Sequence, residues 1–146
     1  WPRRYLCPET APMNAQNCST HPCRLLIIDD HNSLRRNLAA LLEDENFAVS
    51  EAESGEQALN MLQQNTLDVA IVDMRLPGMS GSEFIEQAAA RFPALRFIVH
   101  TGSVDYVLSD SNRALGISES DVFYKPIADL QHFFQRIRSL CPGGAR

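Results

Sequence analysis

Asp29-Asp30, Asp73, Thr101 and Lys125 are the residues whose types and positions could do chemistry together. Each closes a short apolar run, and such runs read as strands buried on both faces of a parallel sheet. The carboxyl ends of those strands lie along one sheet edge, where open α/β sheets bind their ligands. Three carboxylates at close quarters repel one another strongly. A hard divalent cation, Mg²⁺ or Mn²⁺, would make them tolerable, because all-oxygen ligation suits it. The Thr101 hydroxyl and the Lys125 ammonium then suit the oxygens of an anion, with phosphate the obvious candidate. Singly, each group has an ordinary explanation. Acids before a helix offset its dipole, and Thr-Gly and Lys-Pro commonly make turns and loops. Their coincidence at every relevant strand end is what those explanations leave uncovered.

Asp73 carries the most weight. In Ile71-Val72-Asp73-Met74-Arg75-Leu76-Pro77-Gly78-Met79-Ser80-Gly81 an apolar run stops at a carboxylate and a Pro-Gly turn follows. Ser80 and Glu83 then open a helix with capping-box spacing. A buried unpaired charge is costly, so a strand-end aspartate calls for a partner or a reaction. Lys125 is the other outlier, the single lysine among 13 basic residues that are otherwise all arginine. A lysine kept against that bias points to a need for a compact ammonium. His31 and His100 flank these positions, but nothing in their spacing assigns them a chemical role.

The elements that must position these groups follow the chain in order. Residues 25–28 read as a first strand and residues 32 to about 46 as a helix, with Leu34, Leu38, Leu41 and Leu42 at helical spacing. Residues 47–51 are a second strand. Ser54-Gly55-Glu56-Gln57 is a capping box, and Ala58, Leu59, Met61 and Leu62 form the stripe of a second helix. The third strand covers residues 68–73, the third helix residues 82 to about 91, and the fourth strand residues 95–100. A helix is expected over residues 106–115, within a stretch rich in Ser and Asp. Residues 122–124 are the fifth strand, and residues 127–140 the last helix, with Ile127, Leu130, Phe133, Phe134 and Ile137 facing inward. Strands alternating with helices imply right-handed crossovers and a parallel sheet covered on both sides.

Composition narrows the classes. A chain of 146 residues suits one domain, and 45% hydrophobic with 21% charged residues is ordinary for a soluble globule. A net charge of −5 argues against non-specific binding to nucleic acid or acidic membranes. No apolar run approaches the roughly 20 residues that span a bilayer. Residues 1–23 carry Pro2, Pro8, Pro12 and Pro22 with little periodicity, and are expected to form a mostly disordered tail. The first residue is Trp1, and Met13 is a plausible initiator. The domain is placed at residues 24–141, with a short tail over residues 142–146. Cys7, Cys18 and Cys23 precede the first strand and Cys141 ends the last helix, which does not suggest a disulfide framework. Free thiols in a reducing cytoplasm are expected. Cys18, His21 and Cys23 could be half a zinc site, but the matching half is missing.

Over about residues 24–141 the sequence resembles the receiver domains of two-component response regulators. The residues that carry the resemblance are Asp29-Asp30, Asp73 within D-M-R-L-P-G-M-S-G, Thr101-Gly102 and Lys125-Pro126. The resemblance implies a flavodoxin-like (βα)5 fold with strand order 2-1-3-4-5. It implies that Asp73 accepts a phosphoryl group from a phosphohistidine on a sensor histidine kinase or phosphotransfer protein. Asp30, Asp73 and the Arg75 carbonyl would bind Mg²⁺ (or Mn²⁺), with Asp29 acting largely through water. Thr101 and Lys125 would hold the phosphoryl oxygens, and the Lys125–Pro126 bond would be cis. The partner downstream would be a protein or a fused output domain, with no direct nucleic-acid or membrane contact. A homodimer through the helix 4, strand 5 and helix 5 face is a further possibility of the family. One position departs: the family often has an aromatic residue three before the lysine, where this chain has Val122.

Other classes remain in contention. An aspartyl-phosphate hydrolase typically has a second acid two residues after the nucleophile, where Arg75 stands. A flavin carrier on this fold wants a Ser/Thr/Gly-rich phosphate loop after the first strand, where Asp29-Asp30 would repel the phosphate. A degenerate receiver acting only as a binding surface would not need the full set of acids and lysine.

Overall fold

Leu25, Leu26, Ile27 and Ile28 are each at most 1% exposed, because their strand lies in the middle of the sheet with helices on both sides. The computed structural model describes residues 22–142. Most of the expected N-terminal tail, Met13, Cys7, Cys18 and His21 of the half zinc site, and residues 143–146 lie outside the described residues.

The elements are β1 (Arg24–Ile28), α1 (Asn32–Asp44), β2 (Ala48–Ala52), α2 (Gly55–Gln64), β3 (Val69–Val72), α3 (Gly81–Arg91), β4 (Arg96–Thr101), α4 (Asp110–Ala114), a 3-10 turn (Glu119–Asp121), β5 (Val122–Tyr124) and α5 (Leu130–Leu140). The sheet runs β2-β1-β3-β4-β5 and every pairing is parallel. This is the strand order that the resemblance implied. Ile28 pairs with Ala52 and Val72, Val72 with Val99, and Thr101 with Tyr124, so the strand ends align along one edge.

Alternation along the strands splits the core in two. Leu26, Ile28, Ala70, Val72 and Val99 face α2 and α3, where they meet Ala58, Leu62, Phe84, Ile85 and Ala88. Leu25, Ile27, Ile71 and Ile98 face α1 and α5, meeting Leu38, Leu42, Phe133 and Ile137.

Four expectations need correction. Cys23 and Cys141 are joined in a disulfide across a sequence separation of 118 residues, so they are not free thiols. Their distance in the chain hid this: only the fold brings the start of β1 beside the end of α5. The fourth helix begins at Asp110, because the Ser109 hydroxyl caps it by accepting from the Asn112 N–H at 3.1 Å. The preceding residues instead form a turn, in which the Tyr106 N–H donates to the Ser103 carbonyl. The last helix begins at Leu130, capped by Asp129, and Leu130 is 36% exposed instead of facing inward. In α1 the buried stripe is Arg35, Leu38, Ala39 and Leu42, while Leu34 and Leu41 are exposed.

Candidate functional site: an acid cluster and its lysine

The turn after β3 is held tightly enough to aim Asp73. Gly78 takes a φ of +73°, a conformation open to glycine at little cost. The Met79 N–H donates to Glu56 of α2 at 3.2 Å, and the Ser80–Glu83 capping box closes at both ends. At Gly81 a Cβ would meet the Asp73 carbonyl oxygen at 2.5 Å, so only glycine lets α3 start this close to the strand end. The equivalent signal before α2 is met only in part. The Ser54 hydroxyl accepts from the Gln57 N–H, but the Gln57 side chain accepts from Glu53 instead of from Ser54.

Every site residue expected from the sequence stands at this edge. Lys125 Nζ donates to Asp29 Oδ2 at 2.7 Å and to Asp73 Oδ2 at 3.2 Å. The Arg75 N–H donates to Asp73 Oδ1 at 3.1 Å, which turns the Arg75 peptide toward the cluster. Thr101 is fully buried, and its hydroxyl accepts from the Ser103 N–H at 3.1 Å. The Lys125 N–H donates to the Thr101 carbonyl at 2.8 Å, tying the ends of β4 and β5 together. The Lys125–Pro126 peptide bond is cis. Asp30 is the outermost acid.

The electrostatics shift the two buried acids in opposite directions. Burial raises the pKa of Asp29, but the hydrogen bond from Lys125, the His31 N–H and the lysine's charge outweigh it, and the carboxyl falls below its ordinary value. For Asp73 burial dominates, reinforced by the negative charge of Asp29, and its pKa rises despite Arg75 and Lys125. Burial alone would lower Lys125, yet Asp29 and Asp73 hold it above its ordinary value. It therefore stays an ammonium.

The donors suit a hard cation. Asp29, Asp30 and Asp73 each offer a carboxylate oxygen, and with a His31 ring nitrogen these atoms lie within 4.8 Å of one another. Asp29 and Asp73 share one ammonium and Asp30 stands beside them, which leaves surplus negative charge that a divalent cation would balance. His31 Nδ1 is 3.3 Å from oxygens of both Asp29 and Asp30. His100 is buried, its ring 6.3 Å from that of Phe133. Burial and the nearby Lys125 charge hold its pKa down to about 4, so it is a neutral packing residue.

Around Val122 the ring positions are redistributed. Phe123 points into the other half of the core, 5.0 Å from the Phe133 ring. Tyr124 is exposed, and its hydroxyl donates to the Tyr106 carbonyl at 3.4 Å. Tyr106, from the loop after β4, packs with Val122 against the core.

The leucine spacing drew attention away from Arg35, which is 4% exposed and bonds the Asp29 carbonyl. A signal for it existed: positions 35, 38, 39 and 42 make a better helical stripe than the leucines alone.

Comparison with known proteins agrees with this geometry. The chain is 31% identical over 107 residues to the response regulator GtcR of Aneurinibacillus migulanus, an alignment covering 73% of this chain and 43% of that protein. It spans about half or less of the curated relatives it matches. A CheY-like response regulator receiver domain protein from Methanospirillum hungatei superposes with a TM-score of 0.67 at 25% identity, covering 81% of this chain and 92% of that one. The response regulator protein TrrA from Thermotoga maritima, solved in complex with Mg²⁺-BeF, has a TM-score of 0.69 at 24% identity, covering 81% and 98%. The family model of the response regulator receiver domain matches residues 25–138, and the chain belongs to that family.

Proposed function

We propose that this chain is the phospho-accepting receiver of a two-component phosphorelay, with Asp73 as the acceptor. The observation that carries the reading is the position of Asp73: buried at a strand end, 3.2 Å from the only lysine, beside two further acids. In the transfer, an Asp73 oxygen bonds to the phosphorus of a phosphohistidine as the phosphorus–nitrogen bond breaks. The imidazole leaves with that electron pair and takes a proton. Such transfers depend on positioning and charge neutralisation more than on covalent help.

The residues divide the work. Asp30, Asp73 and the Arg75 carbonyl would hold Mg²⁺ (or Mn²⁺), with Asp29 supporting through water. The ion, when bound, would neutralise charge on the transferred oxygens. Lys125 already bridges Asp29 and Asp73 and would move onto a phosphoryl oxygen. Thr101 would release Ser103 and turn its hydroxyl toward the same group, drawing the following loop with it. That loop carries Tyr106, which like Val122 packs against the core, and the exposed Val104 and Val107. A face near β4 and β5 would thereby change for a downstream protein, a fused output domain or a second copy of the chain.

The protein acts as a signalling acceptor and not as a turnover enzyme. Its donor would be a sensor histidine kinase or phosphotransfer protein in the cytoplasm. The domain would occupy residues 24–141, with tails over residues 1–23 and 142–146. The complete set of acids and lysine weighs against a receiver that works without phosphorylation.

The test is labelling by a small phosphodonor with Mg²⁺. The chain should take one phosphoryl group, and Asp73→Asn should stay folded and take none. Undiminished labelling of that variant would place the acceptor elsewhere.

A further inference from the structure

A guanidinium buried in the first helix has no evident reason to be there if packing is all that α1 provides. The stripe α1 buries is Arg35, Leu38, Ala39 and Leu42, and Arg35 is only 4% exposed. A charge in that setting persists only with good partners. Arg35 has three. Nη1 donates to the Asp29 carbonyl at 2.8 Å, Nη2 to Asn32 Oδ1 at 2.8 Å, and Nε to Glu51 Oε1 at 3.0 Å.

None of these acceptors is a carboxylate oxygen of Asp29, Asp30 or Asp73. The two cations near the acid cluster therefore do different things. Lys125 sits on the carboxylates themselves, at Asp29 Oδ2 and Asp73 Oδ2. Arg35, its charge paired with Glu51, bonds the backbone from behind and leaves those oxygens uncovered.

The backbone bond has a directional consequence. The Asp29 carbonyl and the Asp30 N–H belong to one planar peptide unit. Arg35 fixes that unit from the carbonyl side. The Asp29 N–H is fixed separately, by donating to the Ala52 carbonyl of β2 at 3.1 Å. Both flanks of the Asp29 Cα are thus tethered. Asp30 is the outer acid, and its carboxylate direction depends on the same peptide plane. His31, the N-cap of α1, donates its N–H to Asp29 Oδ1 at 2.8 Å, which holds the carboxylate and leaves the Asp29–Asp30 peptide plane to Arg35.

We propose that Arg35 is a positioning residue for the metal-binding acid pair, holding the Asp29–Asp30 peptide so that both carboxylates face a divalent cation. The proposal rests on the receiver reading above and deepens it. Partners of this kind behind metal ligands commonly change affinity by about 10–100-fold when removed.

The experiment is an Mg²⁺ titration of the full chain followed by amide NMR, with thermal unfolding in EDTA run in parallel. Arg35→Gln should weaken Mg²⁺ binding about tenfold or more. Its phosphorylation by a small donor should recover toward the wild-type rate at saturating Mg²⁺. Arg35→Lys keeps the charge and the stem but loses the planar fork. It should retain most of the melting temperature in EDTA and still bind Mg²⁺ several-fold more weakly. A merely structural arginine would lower the melting temperature and leave the Mg²⁺ affinity alone. Affinities within about twofold of wild type in both variants would overturn the proposal. If neither folds, Asn32→Ala loosens one arm of the fork, and an unchanged affinity there overturns it equally. A wild-type chain that ignores Mg²⁺ removes the receiver reading itself, and this proposal with it. A wild-type chain that binds, beside variants that match it, removes only the role of Arg35.

Discussion

The two edges of the one sheet treat charge in opposite ways. At the amino-terminal edge, Arg24 and Asp68 meet as one base and one acid. The Arg24 N–H and Nε donate to Asp68 Oδ2 at 2.7 and 3.3 Å, and Nη2 donates to Oδ1 at 3.3 Å. Beside them the Cys23–Cys141 disulfide clamps the start of β1 to the end of α5. At the carboxyl-terminal edge, Asp29 and Asp73 share a single ammonium and Asp30 adds a third negative charge. One edge is closed by a matched ion pair and a covalent bond. The other is left with surplus negative charge, which only something from outside can balance. A domain can keep such an electrostatically unfavourable edge when other regions supply its stability.

The contrast can be broken at either edge. The largest effect should come from the disulfide. Reducing it, or replacing Cys141 by Ser, should cost about 3–5 kcal/mol, because the bond closes a long loop in the unfolded chain. Mg²⁺ affinity should stay unchanged, since the acid cluster is at the far edge. A parallel loss of metal binding in NMR titrations would show that the edges are coupled.

Lys125→Ala attacks the open edge. Removing the shared ammonium should destabilise the metal-free domain by about 2–3 kcal/mol, as buried acids lose their partner. Added Mg²⁺ should restore more stability to this variant than to wild type, because the metal and Lys125 compete to balance the charge of the same two carboxylates. Equal restoration in thermal melts would contradict that competition.

A pH effect should follow from His100. Its folded pKa of about 4 lies below its ordinary 6.5. The unfolded chain therefore binds the proton first as pH falls. The stabilisation is fully present above pH 6.5 and is lost on descending toward pH 4, at about 1.4 kcal/mol per pH unit. Denaturant melts of wild type and His100→Asn between pH 7 and 5 should converge at the acid end. Parallel curves would assign the pH dependence to other groups.

Ser80→Ala should have the smallest effect, about 1 kcal/mol, from loss of the cap on α3. Because this cap also holds the turn after Asp73, phosphorylation should slow while Arg24 and Asp68 keep their amide shifts. A variant that labels at the wild-type rate would show that Gly78 and Gly81 hold the turn without it.

Much of this molecule is legible in its sequence. Apolar runs ending in acids located β1 and β3, and Ser80 with Glu83 located the start of α3, because those signals are local and depend on hydrogen-bond geometry within a few residues. The order Asp29-Asp30, Asp73, Thr101, Lys125 was enough to expect one cleft, since parallel strands must all end at one edge. The starts of α4 and α5 rest on equally local caps at Ser109 and Asp129, hidden among other Ser and Asp residues. Tertiary structure decided the rest. Leu34, Leu41 and Leu130 share helical spacing with buried leucines yet face outward, because burial depends on which neighbour the fold supplies. Cys23 met Cys141 and Arg35 met the Asp29 carbonyl through chain closure and helix docking. Those contacts, and the opposite pKa shifts of Asp29 and Asp73, arise from distance and burial in three dimensions, which spacing along a chain does not encode.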